Sequence, residues 1–196
     1  VVGTFGDNFD ESARRAAQPL GLTGSQLDAL RDLGIYLNYN GYGAEVADLH
    51  LPPDALFRRL QSYANPLDFI HLDPAFGQLR DGFDEDMARA RAITPEIDGP
   101  GHRLHLLPAA PWARRAGGVL ANELARSAPD QAHALLTRLP AGGFVVSVRA
   151  PLSNRLGADD LCRRFPGGGG RPAAAGINQL DDSDYDAFVA AFLAAF

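Results

Sequence analysis

The chain has 196 residues, 46% of them hydrophobic and 21% charged, the balance of an ordinary globular protein with one large domain or two small ones. No apolar run is long enough to span a membrane, no charged start leads into an apolar stretch as in a signal peptide, and a single cysteine, Cys162, excludes an internal disulfide and suits a reducing cytoplasm. The net charge of −6 is uneven: residues 1–98 hold 8 Arg against 16 Asp and Glu, whereas residues 99–196 hold 10 Arg against 8 acids, and no Lys occurs anywhere.

In chain order, Val1-Val2-Gly3-Thr4-Phe5 is apolar and β-branched and predicts a buried strand. A strand at the first residue needs neighbours on both sides, so the sequence reads as a fragment of a longer protein. Asp10 is placed to cap a short helix through Ala17, ended by Pro19 and Gly21. Thr23 and Gln26 form a capping box ahead of Leu27, Leu30, Leu33 and Leu37 at helical spacing, with Gly34 weakening the end of that helix. Asn38 to Gly43 is a polar turn. Pro52 and Pro53 start another helix with Leu56, Phe57 and Leu60 on one face, and a longer helix carries Phe76, Leu79, Phe83, Met87 and Ala90 as its apolar stripe.

The breaker-rich run 94–101 is the best boundary, dividing a helical connector over 41–98 from an α/β domain over 99–196. Beyond it strands and helices alternate. Strands are predicted over 103–107, 132–139, 144–149 and 176–179. Helices are predicted from Pro111 and Trp112, over 157–165, and along Tyr185, Phe188, Val189, Phe192 and Phe196. The predicted fold class is α/β: a helical N-terminal segment followed by a small domain with a central mixed sheet.

The strongest chemical signal is Phe165-Pro166-Gly167-Gly168-Gly169-Gly170-Arg171-Pro172-Ala173-Ala174-Ala175-Gly176. Glycines allow backbone N–H groups to converge on an anion. Pro172 suits the first turn of a helix, whose N-terminus would add partial positive charge, and Arg171 would stand at the entrance as a forked donor. A bare glycine run is more often a plain flexible loop. No Gly-Lys-Ser/Thr follows, so this is not a nucleotide P-loop. Five Arg and only two acids lie between Arg149 and Arg171, a local focus of positive charge that fits a small anion better than long duplex nucleic acid.

The strand ending Val146-Ser147-Val148-Arg149, the short helix, Phe165-Pro166 and the glycine run with Ala-Ala-Gly together resemble the DHH-associated domain. That domain is the C-terminal substrate-binding lobe of DHH-family phosphoesterases, a group that includes RecJ-type exonucleases and nanoRNA and cyclic-dinucleotide phosphodiesterases. The resemblance is specific over residues 140–195 and extends back to about 99. It implies that Arg149, Gly167, Gly168, Gly169, Gly170 and Arg171 bind a substrate phosphate or terminal nucleotide. It also implies that the intact enzyme uses Mn2+ and that the ligand is a nucleotide or short single-stranded oligonucleotide. Arg171 stands where the family commonly has His; an anion-binding role survives this change, a proton-donating one does not.

Gly3 to Asn8 similarly resembles the segment late in the catalytic DHH domain that supplies a metal-ligating Asp, here Asp7, which makes residues 1–40 the end of that domain. Asp-His-His itself does not occur in the chain. The resemblance therefore places the rest of the metal site in a missing N-terminal half, and this chain is expected to bind substrate without hydrolysing it. A homodimer is a further partner left open. The rival reading is a non-catalytic nucleic-acid-binding module, like the related lobes of alanyl-tRNA synthetases.

Overall fold

The computed structural model describes residues 1–196, which form two compact units, Val1–Asp86 and Met87–Phe196.

The first unit is helical. It begins with α1 (Val2–Gly6), α2 (Asp10–Ala17) and α3 (Gly24–Tyr39) and continues with α4 (Pro53–Gln61) and α5 (Pro66–Leu72); α6 (Pro74–Arg91) starts here and runs on into the second unit. The expected N-terminal strand is instead the helix α1. Its amides are satisfied locally, with Asp7 N donating to Gly3 O and Phe9 N to Thr4 O, and it crosses α3 where two glycines meet. A Cβ on Gly6 would lie 2.7 Å from Gly34 O, and one on Gly34 would strike Val2 O and Gly6 N. Close packing overrides the β-preference of the valines. Gly34 accordingly does not end its helix, which runs on to Tyr39. Both halves of the Thr23–Gln26 capping box form, while Asp10 is the first residue of α2 rather than its cap, which is Phe9.

Leu33, Leu51, Leu56, Phe69, Ala75 and Leu79 are the core of this unit. Phe57, expected beside Leu56, is 58% exposed, because α4 buries a narrower stripe than its apolar residues suggest. Asn40, directly after α3, acts as a clamp, its amide bonding both the N–H and the C=O of Leu51 at 3.1 and 2.8 Å. Tyr39 Oη donates to Asp86 Oδ2 at 2.8 Å, and His50 Nε2 lies 3.0 Å from the same oxygen.

The second unit is a sheet with helices on both faces. Its elements are β1 (Ile97–Asp98), β2 (His102–Leu107), α7 (Pro111–Ser127), β3 (Ala132–Arg138), β4 (Phe144–Arg149), α8 (Ala158–Cys162), β5 (Gly168–Arg171), β6 (Ala174–Leu180) and α9 (Tyr185–Ala195). The strand order is β1-β2-β3-β4-β6-β5. Only β2 and β3 are parallel, joined through α7; every other pair is antiparallel, so the sheet is mixed as expected. One face buries Leu104, Leu136, Val146, Val148 and Ile177 against Leu161, Phe188 and Phe192 of α8 and α9. The other face receives α7 over β3 and β4, with a Cβ on Gly117 of α7 lying 3.3 Å from Thr137 Oγ1. Trp112 is half-buried at the start of α7. No helix of the structure is long and apolar enough to cross a membrane.

Candidate functional site

The glycine run differs in form from its sequence prediction. Pro172 and Ala173 make a two-residue turn, and the chain returns as β6 from Ala174 instead of starting a helix. The fixed φ of proline serves the second position of a turn as well as the first turn of a helix, so Pro172 alone could not separate the two. The alanines favour a helix by propensity, but Ala174 and Ala175 are held between β4 and β5 by pairing on both sides. The expected helix N-terminus therefore contributes nothing, and the amides do not converge. Gly167 is in a turn at φ +70°, Gly168 N donates to Phe165 O at 3.1 Å, and Gly168 to Arg171 form an edge strand paired with β6.

What the run builds is a floor. Residues directly opposite in register share a face of the sheet, and the register aligns Arg149 of β4, Ala174 of β6 and Arg171 of β5. One step along, Ser147, Gly176 and Gly169 form the adjacent row of the same face. At about 4.8 Å per strand, the two arginine Cα atoms stand roughly 10 Å apart. The surface between them is made of Ala174, Gly176 and Gly169, with no side chain larger than methyl. A Cβ on Gly169 would meet nothing within 4 Å, so the floor is open above that residue. Gly168 faces the other way, against α8, where a Cβ would run into Cys162 O.

The two guanidinium groups are not neutralised. Arg149 Nε donates to Asn122 Oδ1 on α7 at 2.9 Å and its Nη1 to Val148 O at 3.1 Å. Both acceptors are neutral. Arg171 is exposed. Burial, and after it the positive charge of Arg171, push Arg149 below the usual guanidinium range; it stays charged at any working pH. Four other arginines of this unit are tied to acids: Arg91 to Glu123 at 2.7 Å, Arg103 to Asp98 at 2.7 Å, Arg138 to Asp182 at 3.1 Å and Arg163 to Asp159 at 2.8 Å. Two close, uncompensated cations over a floor of small residues suit an anion with several oxygens.

The sequence points to Arg149, Arg171 and the glycines but not to Asn122 and Ser147. Ser147 is within reach of sequence reasoning, since it lies two residues before Arg149 on a strand and so shares its face. Asn122 is not, because only the fold brings the middle of α7 over the end of β4.

Asp7 is expected to follow a strand and to supply one ligand of a metal site completed by residues outside this chain. It follows a helix, not a strand, and its side chain is exposed. No group of three or more His, Cys, Asp or Glu side chains is placed to hold a metal ion, so the residues present do not fit a metal centre. His102 and His105 face opposite sides of β2, as their spacing requires: His102 packs edge-on against Phe192, whereas His105 lines a cavity of about 200 Å³ with Ile93, Leu120, Leu124 and Ser127. Cys162 is fully buried, and burial, followed by the charge of Asp159, raises its thiol to about 11.

No protein-family model matches the chain, and no curated protein matches it. Solved structures do. The fold aligns with exonuclease RecJ bound to manganese at a TM-score of 0.61, 18% identity, over 92% of this chain and 44% of that one. It aligns with RecJ from Thermus thermophilus in complex with Mn2+ at a TM-score of 0.62 and 19% identity, over 92% of this chain and 26% of that one. It also aligns with PggH, a pGpG-specific phosphodiesterase from Vibrio cholerae, at a TM-score of 0.52 and 14% identity, over 95% of this chain and 67% of that one. The chain spans less than half the length of the RecJ structures it matches. At these identities the shared property is the fold, and at that level the resemblance read from the glycine run and Arg149 is met.

Proposed function

We propose that this chain, having a RecJ-type fold, is the substrate-binding portion of a DHH-type phosphoesterase that acts on nucleotides or short single-stranded oligonucleotides. The observation that carries the reading is the pairing of Arg149 and Arg171 across Ala174 with no carboxylate between them. A phosphate on the floor accepts hydrogen bonds from both guanidinium groups. Gly169 and Gly176 let a sugar or base lie close to the sheet, where any larger side chain would lift it away. The acid-rich first half repels long polyanions, so a short ligand is favoured over an extended strand.

Hydrolysis belongs to the parent protein in this proposal. Manganese dependence is likewise a property of the parent, held by residues outside this chain, and no step of the reaction is assigned to Asp7. A cytoplasmic location and a homodimeric parent are compatible with this reading and are not needed by it. The competing reading, a non-catalytic nucleic-acid-binding module, uses the same floor and differs only in whether the parent hydrolyses what it binds.

The test is fluorescence titration of this chain with a labelled single-stranded tetranucleotide. Arg149→Ala and Arg171→Ala should each weaken binding about tenfold or more, in line with roughly 1.5–3 kcal/mol for a hydrogen bond to a charged group. Unchanged affinity in both variants would remove the site. Manganese-dependent hydrolysis by a longer parent, absent from this chain, would separate the enzyme from the binding module.

A further inference from the structure

Arg149 and Arg91 are both held by α7, at neighbouring positions and by different chemistry. Glu123 grips Arg91 in a fork, at 3.0 Å to Nε and 2.7 Å to Nη2, and cancels its charge. Asn122, one residue earlier, accepts from Arg149 Nε at 2.9 Å and leaves the charge intact. With Nη1 donating to Val148 O at 3.1 Å, the guanidinium is fixed at two points and Nη2 remains available. A carboxylate at position 122 would hold the group equally well. It would also occupy, electrostatically, the place meant for an anion.

We propose that Asn122 is a positioning and specificity-setting residue of the floor: it orients Arg149 through a neutral acceptor so that the full positive charge is directed at a phosphate. This rests on the binding site proposed above. Its amide NH2 group, with no partner in the protein, stands beside the guanidinium as an additional donor. A neutral tether leaves the cation's charge whole, whereas an acid would form an internal ion pair that a ligand must break.

Charge and structure give opposite orders for two variants. If Asn122 only supports the fold, Asn122→Ala is the damaging change, and Asn122→Asp is harmless because it keeps the hydrogen bond. If Asn122 preserves the charge, Asn122→Asp is the worse of the two for binding, although it holds Arg149 more tightly. The experiment titrates the labelled single-stranded tetranucleotide into the wild-type chain, Asn122→Asp, Asn122→Ala and Arg171→Ala over a series of salt concentrations, with thermal melting of each.

The expected result is a loss of about tenfold or more for Asn122→Asp with an unchanged or higher melting temperature, and a smaller loss of a few-fold for Asn122→Ala. The slope of log K against log salt should fall by about 0.7 in Asn122→Asp, the value of one lost phosphate contact on a single strand, and stay nearer to wild type in Asn122→Ala. Binding by Asn122→Asp at wild-type strength, or a loss in Asn122→Ala that equals or exceeds it, overturns the proposal. If Arg171→Ala loses binding while Asn122→Asp does not, the floor stands and the role of Asn122 falls. If Arg171→Ala also binds as wild type, the floor itself is wrong and this inference goes with it.

Discussion

Gly168 and Gly169 are adjacent in the chain and face opposite sides of the edge strand β5: a side chain on Gly168 would collide with the Cys162 carbonyl of α8, and one on Gly169 would point into open space. This separates the two tasks of the glycine run. Gly168 lets the strand lie against the helix below it, and Gly169 keeps the upper surface bare. Gly168→Ala should destabilise the second unit by about 1–3 kcal/mol, the usual cost of overpacking. Gly169→Leu should leave stability within about 1 kcal/mol, since it touches nothing, yet weaken binding of the tetranucleotide about tenfold by standing on the floor. Urea midpoints and titrations of the two variants check both halves.

His105 gives the second unit a defined pH response. It is nearly fully buried, its Nδ1 has no hydrogen-bond partner, and burial first, then the neighbouring His133 and Arg103, push its pKa down to about 4 despite the opposing pull of Asp98. The unfolded chain binds this proton near pH 6.5 and the folded chain does not until about pH 4. Stability contributed by the neutral imidazole is therefore complete above about pH 6.5 and is lost as pH falls between these values. The wild-type chain should lose on the order of 1–2 kcal/mol more than His105→Leu between pH 7 and pH 4.5, after allowance for water in the adjoining cavity. Urea unfolding at the two pH values measures it; equal losses in the two proteins would contradict it.

Cys162 should be inert while the chain is folded. It is buried, and its thiol is raised to about 11, so little thiolate exists at neutral pH and none of it is reachable. A maleimide should label it slowly in buffer and rapidly in denaturant. Fast labelling of the native chain would show that α8 opens away from β5, against the close packing at Gly168.

The helix crossing in the first unit depends on Gly34. A methyl there would meet Val2 O and Gly6 N. Gly34→Ala gains helix propensity of about 1 kcal/mol within α3 but must displace α1, so a net loss of about 1–3 kcal/mol is expected. A more stable Gly34→Ala chain would mean that α1 does not pack as described.

Much of this architecture is legible in the sequence. The capping box at Thr23, the stripe of α6, the strands around Leu104 and Val146 and the stripe of α9 all follow from period and caps. The sequence misleads where one local signal serves two structures. Val1 to Phe5 carries strand propensity but is a helix because Gly6 and Gly34 allow close contact, and that contact joins residues 28 apart. Pro172 followed by alanines suits a helix start as well as a hairpin turn, and pairing of Ala174 with both Arg149 and Arg171 decides the matter. The candidate site is therefore legible in its residues and not in its shape. Arg149, Arg171 and the glycines are evident, whereas a flat floor in place of a cradle, and Asn122 reaching over it from α7, depend on register and helix placement that spacing alone does not fix.

The account stands on a single surface, the face of β4, β6 and β5 that carries Arg149, Ala174 and Arg171. Backbone amide shifts followed by NMR during titration with a mononucleotide test it most directly. The account predicts that the largest changes fall on Ser147, Gly169, Ala174 and Gly176, with the side-chain signals of Asn122 and Arg149 moving alongside them. Saturable changes centred on any other surface of the chain, with these amides unmoved, would contradict it.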